Sequence, residues 1–218
     1  MAIPEYERLS RSTGHQHSSA SRNLPGVEEE EASGEVSELY AYFRSHFGRA
    51  DVPGILKCFA THPPLLRHMM ALSESVIFAD GHLTRRHKEM IATLVSSQNE
   101  CPYCVDSHGY FLRVHGGSAE ALCAIQKSDL DSSSLAAEEQ KLLRFAQKVN
   151  GNSHEIDKAD VDSLYAAGWG QPQIAEAVHV AALFATFNRV ANAFGLQSQG
   201  LLALFEGQGN CALEIDPE

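Results

Sequence analysis

What the chain lacks excludes a good deal. No stretch of its 218 residues alternates apolar and polar positions as a half-buried strand would, which leaves helices to build a core. There is no glycine-rich phosphate loop, no nucleophile-elbow serine and no pair of carboxylates at catalytic spacing. Nucleotide binding, serine hydrolysis and glycosidase-type chemistry therefore lose their usual signatures. Basic residues are scarce: 17 Lys and Arg stand against 28 Asp and Glu, a formal net charge of −11. With no basic patch interleaved with aromatics, that balance argues against nucleic acid or an anionic membrane surface as partner. Cysteine is sparse too. The five, at 58, 101, 104, 123 and 211, are odd in number and scattered, unlike the disulfide framework of a small secreted domain. The opening Met1-Ala2-Ile3-Pro4-Glu5-Tyr6 has no apolar core of signal-peptide length, and no run reaches the roughly 18 apolar residues of a membrane span. The expected location is the cytoplasm.

What remains is a chain 44% hydrophobic, long enough for a proper core. Residues 1–34 are polar and poor in large apolar side chains, so they are expected to form a mobile tail or one held only by its neighbours. His15 and His17 belong to that tail and are assigned no chemistry. From residue 35 to 206 the pattern is helical, and 207–218 form a second tail containing Cys211. Val36, Leu39, Tyr40 and Phe43 mark a first helix stopped by Gly48, and Pro63 opens another with Leu65, Leu66, Met69, Met70, Val76 and Ile77 on its buried face. Thr84 caps a helix to about Gln98, Ser118 caps a short one, Asp157 a further one. Gln173 to Phe194 is apolar almost all round, as a central or interfacial helix is. His179 within it suits a hydrogen-bonded core histidine, and Cys58 and Cys123 suit small buried apolar residues. The fold class is all-α, in one domain.

Chemistry concentrates in Glu100-Cys101-Pro102-Tyr103-Cys104-Val105-Asp106-Ser107-His108. Asn99 is suited to cap a helix here, and Pro102, lacking an N–H, fits its first turn. Cys101, Cys104, His108, Phe111, Leu112 and His115 then fall on one helical face. Unpaired N–H groups and the helix dipole at an N-terminus lower a thiol pKa, and the thiolate is the nucleophile. His108 lies one turn beyond Cys104, where it can take that thiol's proton. Two cysteines separated by two residues can also close a disulfide after one is oxidised, so the pair can cycle. Two other readings stay open. The cysteines, His108 and one carboxylate could ligate zinc, although no second C-x-x-C and no H-x-x-x-H is present, or the pair could be inert core.

The run Glu89 to His108, E-M-I-A-T-L-V-S-S-Q-N-E-C-P-Y-C-V-D-S-H, resembles the core motif of the alkylhydroperoxidase D-like (AhpD-like) proteins of the carboxymuconolactone decarboxylase superfamily, in particular the peroxidase-related subgroup. Phe187-Asn188-Arg189-Val190-Ala191 is similar to that subgroup's final helix. The resemblance implies an AhpD-like helical bundle assembled as a homo-oligomer: dimer, trimer or hexamer. It also implies a peroxiredoxin-like activity without cofactor or metal. Cys104, activated through His108 and Glu89, would attack a small organic hydroperoxide, Cys101 would resolve it to the disulfide, and an external dithiol or redox protein would reduce the pair. A disulfide reductase that recycles a peroxidase partner would use the same cysteines, and a zinc-stapled non-catalytic oligomer is the third possibility. Tyr103 stands where the founding members have a relay histidine, and with a reference pKa of about 10 it cannot shuttle protons near neutrality. Glu89 divides the two lines of reasoning. On a wheel of about 100° per residue it falls opposite the stripe Leu83, Met90, Ile91, Leu94 and Val95, which alone predicts solvent. Its own face, however, carries Ala92, Thr93 and Ser96, small residues that would let a second helix approach. The short loop at 98–100 sets this helix antiparallel to the cysteine helix, so Glu89 could lie alongside His108, and the resemblance puts it in the site.

Overall fold

Among the described residues, 22–205 of the computed structural model, every regular element is helical, as the missing strand pattern predicts. The expectations for residues 1–21 with His15 and His17, and for 206–218 with Cys211, lie outside the described residues. In chain order the α-helices are α1 (Gly34–Phe47), α2 (Gly54–Phe59), α3 (Pro63–Ser73), α4 (Arg85–Gln98), α5 (Pro102–Val114), α6 (Ala119–Gln126), α7 (Ala137–Asn152), α8 (Lys158–Ala166) and α9 (Gln171–Phe194). A π-helical turn, Glu74–Phe78, extends α3, and Leu202–Phe205 is a 3-10 turn. The boundaries follow local chemistry. Gly48 takes a φ of 67°, open to glycine without strain, and returns its N–H to Arg44 O to close α1. Thr84, Ser118 and Asp157 accept N–H bonds from His87, Ala121, and Ala159 with Asp160, so all three expected caps form.

The α4–α5 pair makes the most extensive helix contact, and α9 crosses both α4 and α7. One apolar core, built from Met90, Ile91, Leu94, Leu142, Leu143, Val180 and Phe184 among others, fills the space between α4, α7 and α9. A second gathers Tyr40, Phe43, Phe59, Leu66, Tyr110 and Phe111 from α1, α2, α3 and α5. Each large side chain fully buried there stabilises the fold by about 1.5–3 kcal/mol. Between the two lies a small cluster of Cys58, Cys101, Tyr103, Cys104, Ala191 and Leu196. The segment before α1 is held against this body. Asn23 N–H donates to Phe194 O, Val27 N–H to Lys57 O and Val52 N–H to Glu29.

Several expectations need correction. The N-cap of α5 is Cys101, not Asn99: Glu100 turns the chain with a φ of 49°, and the Asn99 side chain is spent on Asn150 and Asn188. Leu65 is 40% exposed, because the core face of α3 passes through Leu66 and Met70 instead. His179 is exposed, so it is no core histidine. Cys123 is half-buried and disulfide-bonded rather than a small buried apolar residue. Finally, α9 is long and apolar enough, by length and composition, to cross a membrane, with mean hydropathy 1.2. Its buried residues, from Ile174 through Phe184 to Ala191, face the other helices.

Candidate active site

Two helices joined by a short turn build the site. Cys101 N–H bonds Ser96 O at 3.0 Å, which folds α5 back along α4 and brings residue 108 beside residue 89. Glu89 is fully buried. Its Oε1 accepts from Arg85 Nε at 2.6 Å and its Oε2 from His108 Nδ1 at 2.7 Å. Burial pushes the carboxyl pKa up, but His108 and Arg85 outweigh it and hold Glu89 below the ordinary glutamate value. An ionised carboxylate can only accept, so the hydrogen sits on Nδ1 and Nε2 carries the lone pair of a base. Arg85 is itself packed over Phe78, at 4.7 Å from the ring centre, and near Phe111. The His108 ring stands edge-on to Phe184 at 4.4 Å, so aromatic packing fixes its plane while Glu89 fixes its tautomer.

The two thiols are free and buried, three residues apart at the start of α5. Cys101 is lowered from the ordinary thiol value, first by the Cys104 side chain, against burial, and then by the N–H groups of Cys104 and Tyr103 in the first turn and by the Asn188 side chain. Cys104 is raised in turn, by its bond to Cys101, by burial and by the neighbouring Cys101 charge. Of the two, Cys101 is thus the more acidic thiol. Cys58, the third sulfur nearby, is pushed up to about 12 by burial and stays a thiol.

Access runs the other way. A cavity of about 860 Å³, counting its open mouth, is lined by Cys104 and His108 and not by Cys101. Its wall is mostly apolar, with Phe43, Phe47, Phe78, Phe111, Phe184, Phe187, Leu56 and Met70. Polar groups are few: Arg49, paired with Asp51, Ser73, Tyr103, Ser107, His108 and Gln199. The expectation that both sulfurs and His108 look the same way is corrected. The cavity face of α5 runs through Tyr103, Cys104, Ser107, His108 and Phe111, and Cys101 sits behind it. Tyr103 is buried and lines the cavity; its oxygen accepts the Ile55 N–H at 3.4 Å, and burial raises its pKa, so the phenol stays protonated.

Sequence reasoning passed over three residues that shape the site. Asp106, inside the quoted motif, accepts three backbone N–H bonds, from Gln199, Leu201 and Leu202, each at 2.9 Å. It thereby holds the segment after α9 as a cavity wall. Arg85, four residues before Glu89, had the i,i+4 spacing of an ion pair as its signal. Asn188, fully buried in α9, had only its polarity in apolar company. Among the described residues, no three His, Cys, Asp or Glu side chains are grouped to hold a metal ion.

Comparison with known proteins agrees with this fold. Residues 63–148 match the model of the carboxymuconolactone decarboxylase family. "Uncharacterized protein 4 in cox locus" of Paracoccus denitrificans is 40% identical over 53 residues, which are 24% of this chain and 47% of that protein. The match thus spans about half the length of that curated relative. Among solved structures, an uncharacterized peroxidase-related protein with an AhpD core from Ralstonia eutropha JMP134 superposes with a TM-score of 0.72 at 26% identity, over 82% of this chain and 92% of that one. A peroxidase-related protein from Silicibacter sp. TM1040 gives 0.68 at 27% identity, over 79% and 91%. The debrominase Bmp8 shares the fold alone, with a TM-score of 0.67 at 16% identity over 84% of this chain and 94% of that one. Residues 63–148 thus carry a carboxymuconolactone decarboxylase family domain, within a chain that has the fold of the AhpD-like peroxidase-related proteins.

Proposed function

We propose that the protein is a thiol-dependent peroxidase that reduces organic hydroperoxides through a dithiol/disulfide cycle of Cys101 and Cys104. The observation that carries this reading is the meeting of Cys104 and His108 on one apolar cavity, with His108 held from behind by buried, ionised Glu89. A hydroperoxide ROOH entering the cavity meets Cys104 first. His108 Nε2 takes the Cys104 proton as the sulfur attacks the terminal oxygen; an S–O bond forms and the O–O bond breaks. The same proton passes to the departing alkoxide, so ROH leaves and Cys104 is a sulfenic acid. Cys101, the more acidic thiol, attacks that sulfur as its thiolate and displaces hydroxide, which leaves as water with a proton from solvent. An external dithiol or redox protein restores both thiols and is itself oxidised to a disulfide.

Burial bears on the alternatives. With Cys101 at 0% and Cys104 at 3% exposure, a small peroxide reaches the pair more easily than a protein disulfide does. Because debrominase activity occurs on the same fold, the fold alone does not choose the chemistry, and the reading rests on the thiols.

The test is thiol accounting. Reduced protein is treated with equimolar cumene hydroperoxide, alkylated and mapped by mass spectrometry. Both Cys101 and Cys104 are expected to vanish into one intramolecular disulfide. Cys104→Ser is expected to abolish hydroperoxide turnover, and Cys101→Ser to stall as a sulfenic acid that dimedone traps. Thiols that stay reduced in the wild type, or turnover that survives Cys104→Ser, would overturn the proposal.

A further inference from the structure

We infer that Arg49 sets the substrate class of the cavity: the site takes a hydroperoxide whose apolar chain also carries a carboxylate, as in an oxidised fatty acid, and Arg49 receives that carboxylate. The inference rests on the peroxidase reading for the hydroperoxide group and on the cavity wall for the rest. Six phenylalanines, Phe43, Phe47, Phe78, Phe111, Phe184 and Phe187, make that wall a surface for hydrocarbon. The volume of about 860 Å³, mouth included, lies in the range of sites that enclose a small organic ligand. Among the described residues that line it there is no Asp, Glu or Lys, and one Arg, Arg49.

The position of Arg49 is fixed. It follows Gly48 directly after α1, and its N–H donates to Arg44 O at 3.1 Å. Three residues on, Val52 N–H bonds Glu29 at 2.9 Å, which pins the loop between α1 and α2. The Arg49 side chain is only 4% exposed, and burying a guanidinium costs free energy unless a partner meets it. Asp51 is that partner: Nη2 donates to Oδ2 at 2.9 Å and to Oδ1 at 3.1 Å, and Nε to Oδ1 at 3.3 Å. Asp51 does not line the cavity, and its side chain is 37% exposed. The pair therefore turns its positive end to the cavity and its negative end to water. Solvent screens the carboxylate better than the guanidinium, so an anion entering the apolar space is attracted. A guanidinium also matches a carboxylate in shape, with its N–H groups in one planar fork, as its hold on Asp51 shows.

The other polar groups of the wall are already used. Ser73 Oγ donates to Met69 O at 2.7 Å, Ser107 Oγ to Tyr103 O at 3.0 Å, and Gln199 Nε2 to Ser107 Oγ at 3.0 Å. Tyr103 takes the Ile55 N–H, and His108 is bound through Nδ1 to Glu89. Cations close in sequence but outside the wall have their own carboxylates, Arg44 with Glu29 and Lys57 with Glu28. An acid group on the substrate is thus received by the loop after α1. The hydroperoxide end meets Cys104 and His108 on α5, and the chain between them lies on the phenylalanines.

Binding of an unreactive analogue reads this without any peroxide or thiol step. Octanoate and 1-octanol, alike in chain and different in charge, are titrated into reduced protein by calorimetry at mildly alkaline pH, where the acid is ionised. The proteins are the wild type, Arg49→Met and Asp51→Asn. The quantity compared is the ratio of octanoate to octanol affinity, which cancels what a substitution does to the cavity as a whole. Arg49→Met is expected to lower that ratio by about 10- to 100-fold, the range of a hydrogen-bonded charge. Asp51→Asn removes the competing carboxylate, leaves the guanidinium in place and is expected to raise the ratio. A purely structural Arg49 would weaken both ligands alike; that unchanged ratio overturns the inference, as does octanoate failing to bind the wild type. If Arg49→Met does not fold, Asp51→Asn decides, and a ratio that falls or stays level there overturns the inference. With no oxidant present, octanoate can bind as expected while the thiol accounting fails, and the reverse, so the two failures are told apart.

Discussion

α4 and α9 are the two helices on which the bundle turns, and they are buried in opposite ways. α4 carries Lys88, Glu89, Thr93 and Ser96, yet from Lys88 to Ser96 every residue is buried. α9 is apolar for most of its length, yet Ala175, His179, Ala182, Thr186 and Arg189 on it are exposed. The difference lies in partners. Lys88 reaches Glu176 at 2.8 Å and Ala79 O at 2.9 Å, Glu89 holds Arg85 and His108, Thr93 bonds Glu89 O, and Ser96 takes the Asn188 amide. Every polar side chain on the buried length of α4 finds a partner, and one of them, Glu89, holds the His108 that lines the cavity with Cys104. The exposed positions of α9 are largely small, and leaving an alanine in water costs little. A polar helix can therefore be the centre of a protein, and its polarity is then the means of holding a site.

The largest test of that contrast is Glu89→Ala. It leaves the Arg85 and His108 contacts without their buried carboxylate, and breaking a buried ion pair from one side costs about 3–5 kcal/mol. A urea midpoint well below the wild type is expected, together with loss of hydroperoxide turnover; a midpoint within error of the wild type would make Glu89 dispensable to the centre of α4.

The same carboxylate predicts a pH signature. Its folded pKa lies below the ordinary value of 4.5, so its contribution to stability is present above 4.5 and lost as pH falls through the folded value. The gap in denaturant midpoint between wild type and Glu89→Gln is therefore expected to narrow as the pH is lowered beneath 4.5. A gap that widens there would reverse the sign of the argument.

A matched pair of threonines gives the finest comparison. Thr93 on α4 bonds Glu89 O at 2.8 Å in full burial, and Thr186 on α9 bonds Ala182 O at 3.2 Å in solvent. Thr93→Ala is expected to cost about 1–2 kcal/mol in lost packing and hydrogen bonding. Thr186→Ala is expected to stay within about 0.5 kcal/mol of the wild type, since alanine is also the better helix former. Equal effects from the two would mean that the exposed face of α9 is covered in solution.

These contrasts also explain how much could be read beforehand. The caps at Thr84, Ser118 and Asp157 were legible because capping chemistry is local, and so was the sharing of one helix face by Cys104 and His108, though not by Cys101. Leu65 and His179 were misassigned because a stripe on a wheel fixes the spacing of a face but not which neighbour covers it. Glu89 was legible from its own helix only in part, since the small residues on its face allow a second helix to approach but do not say that one does. What covers the side opposite the Leu83–Val95 stripe is α5, and only the turn at Glu100 brings α5 there.

The sequence by itself determined an all-helical chain, the opening of a helix at a cysteine pair, and the placement of His108 one turn beyond the second sulfur, because backbone geometry and short-range spacing suffice for each. Tertiary structure alone decided which sulfur meets the cavity, and that Glu89 holds His108 beside it while Asn188 holds Ser96. Those outcomes depend on groups 19 and 92 positions apart making hydrogen bonds of 2.7 and 2.9 Å, as His108 does with Glu89 and Asn188 with Ser96. No local periodicity encodes a contact of that kind; it exists only once the helices have packed.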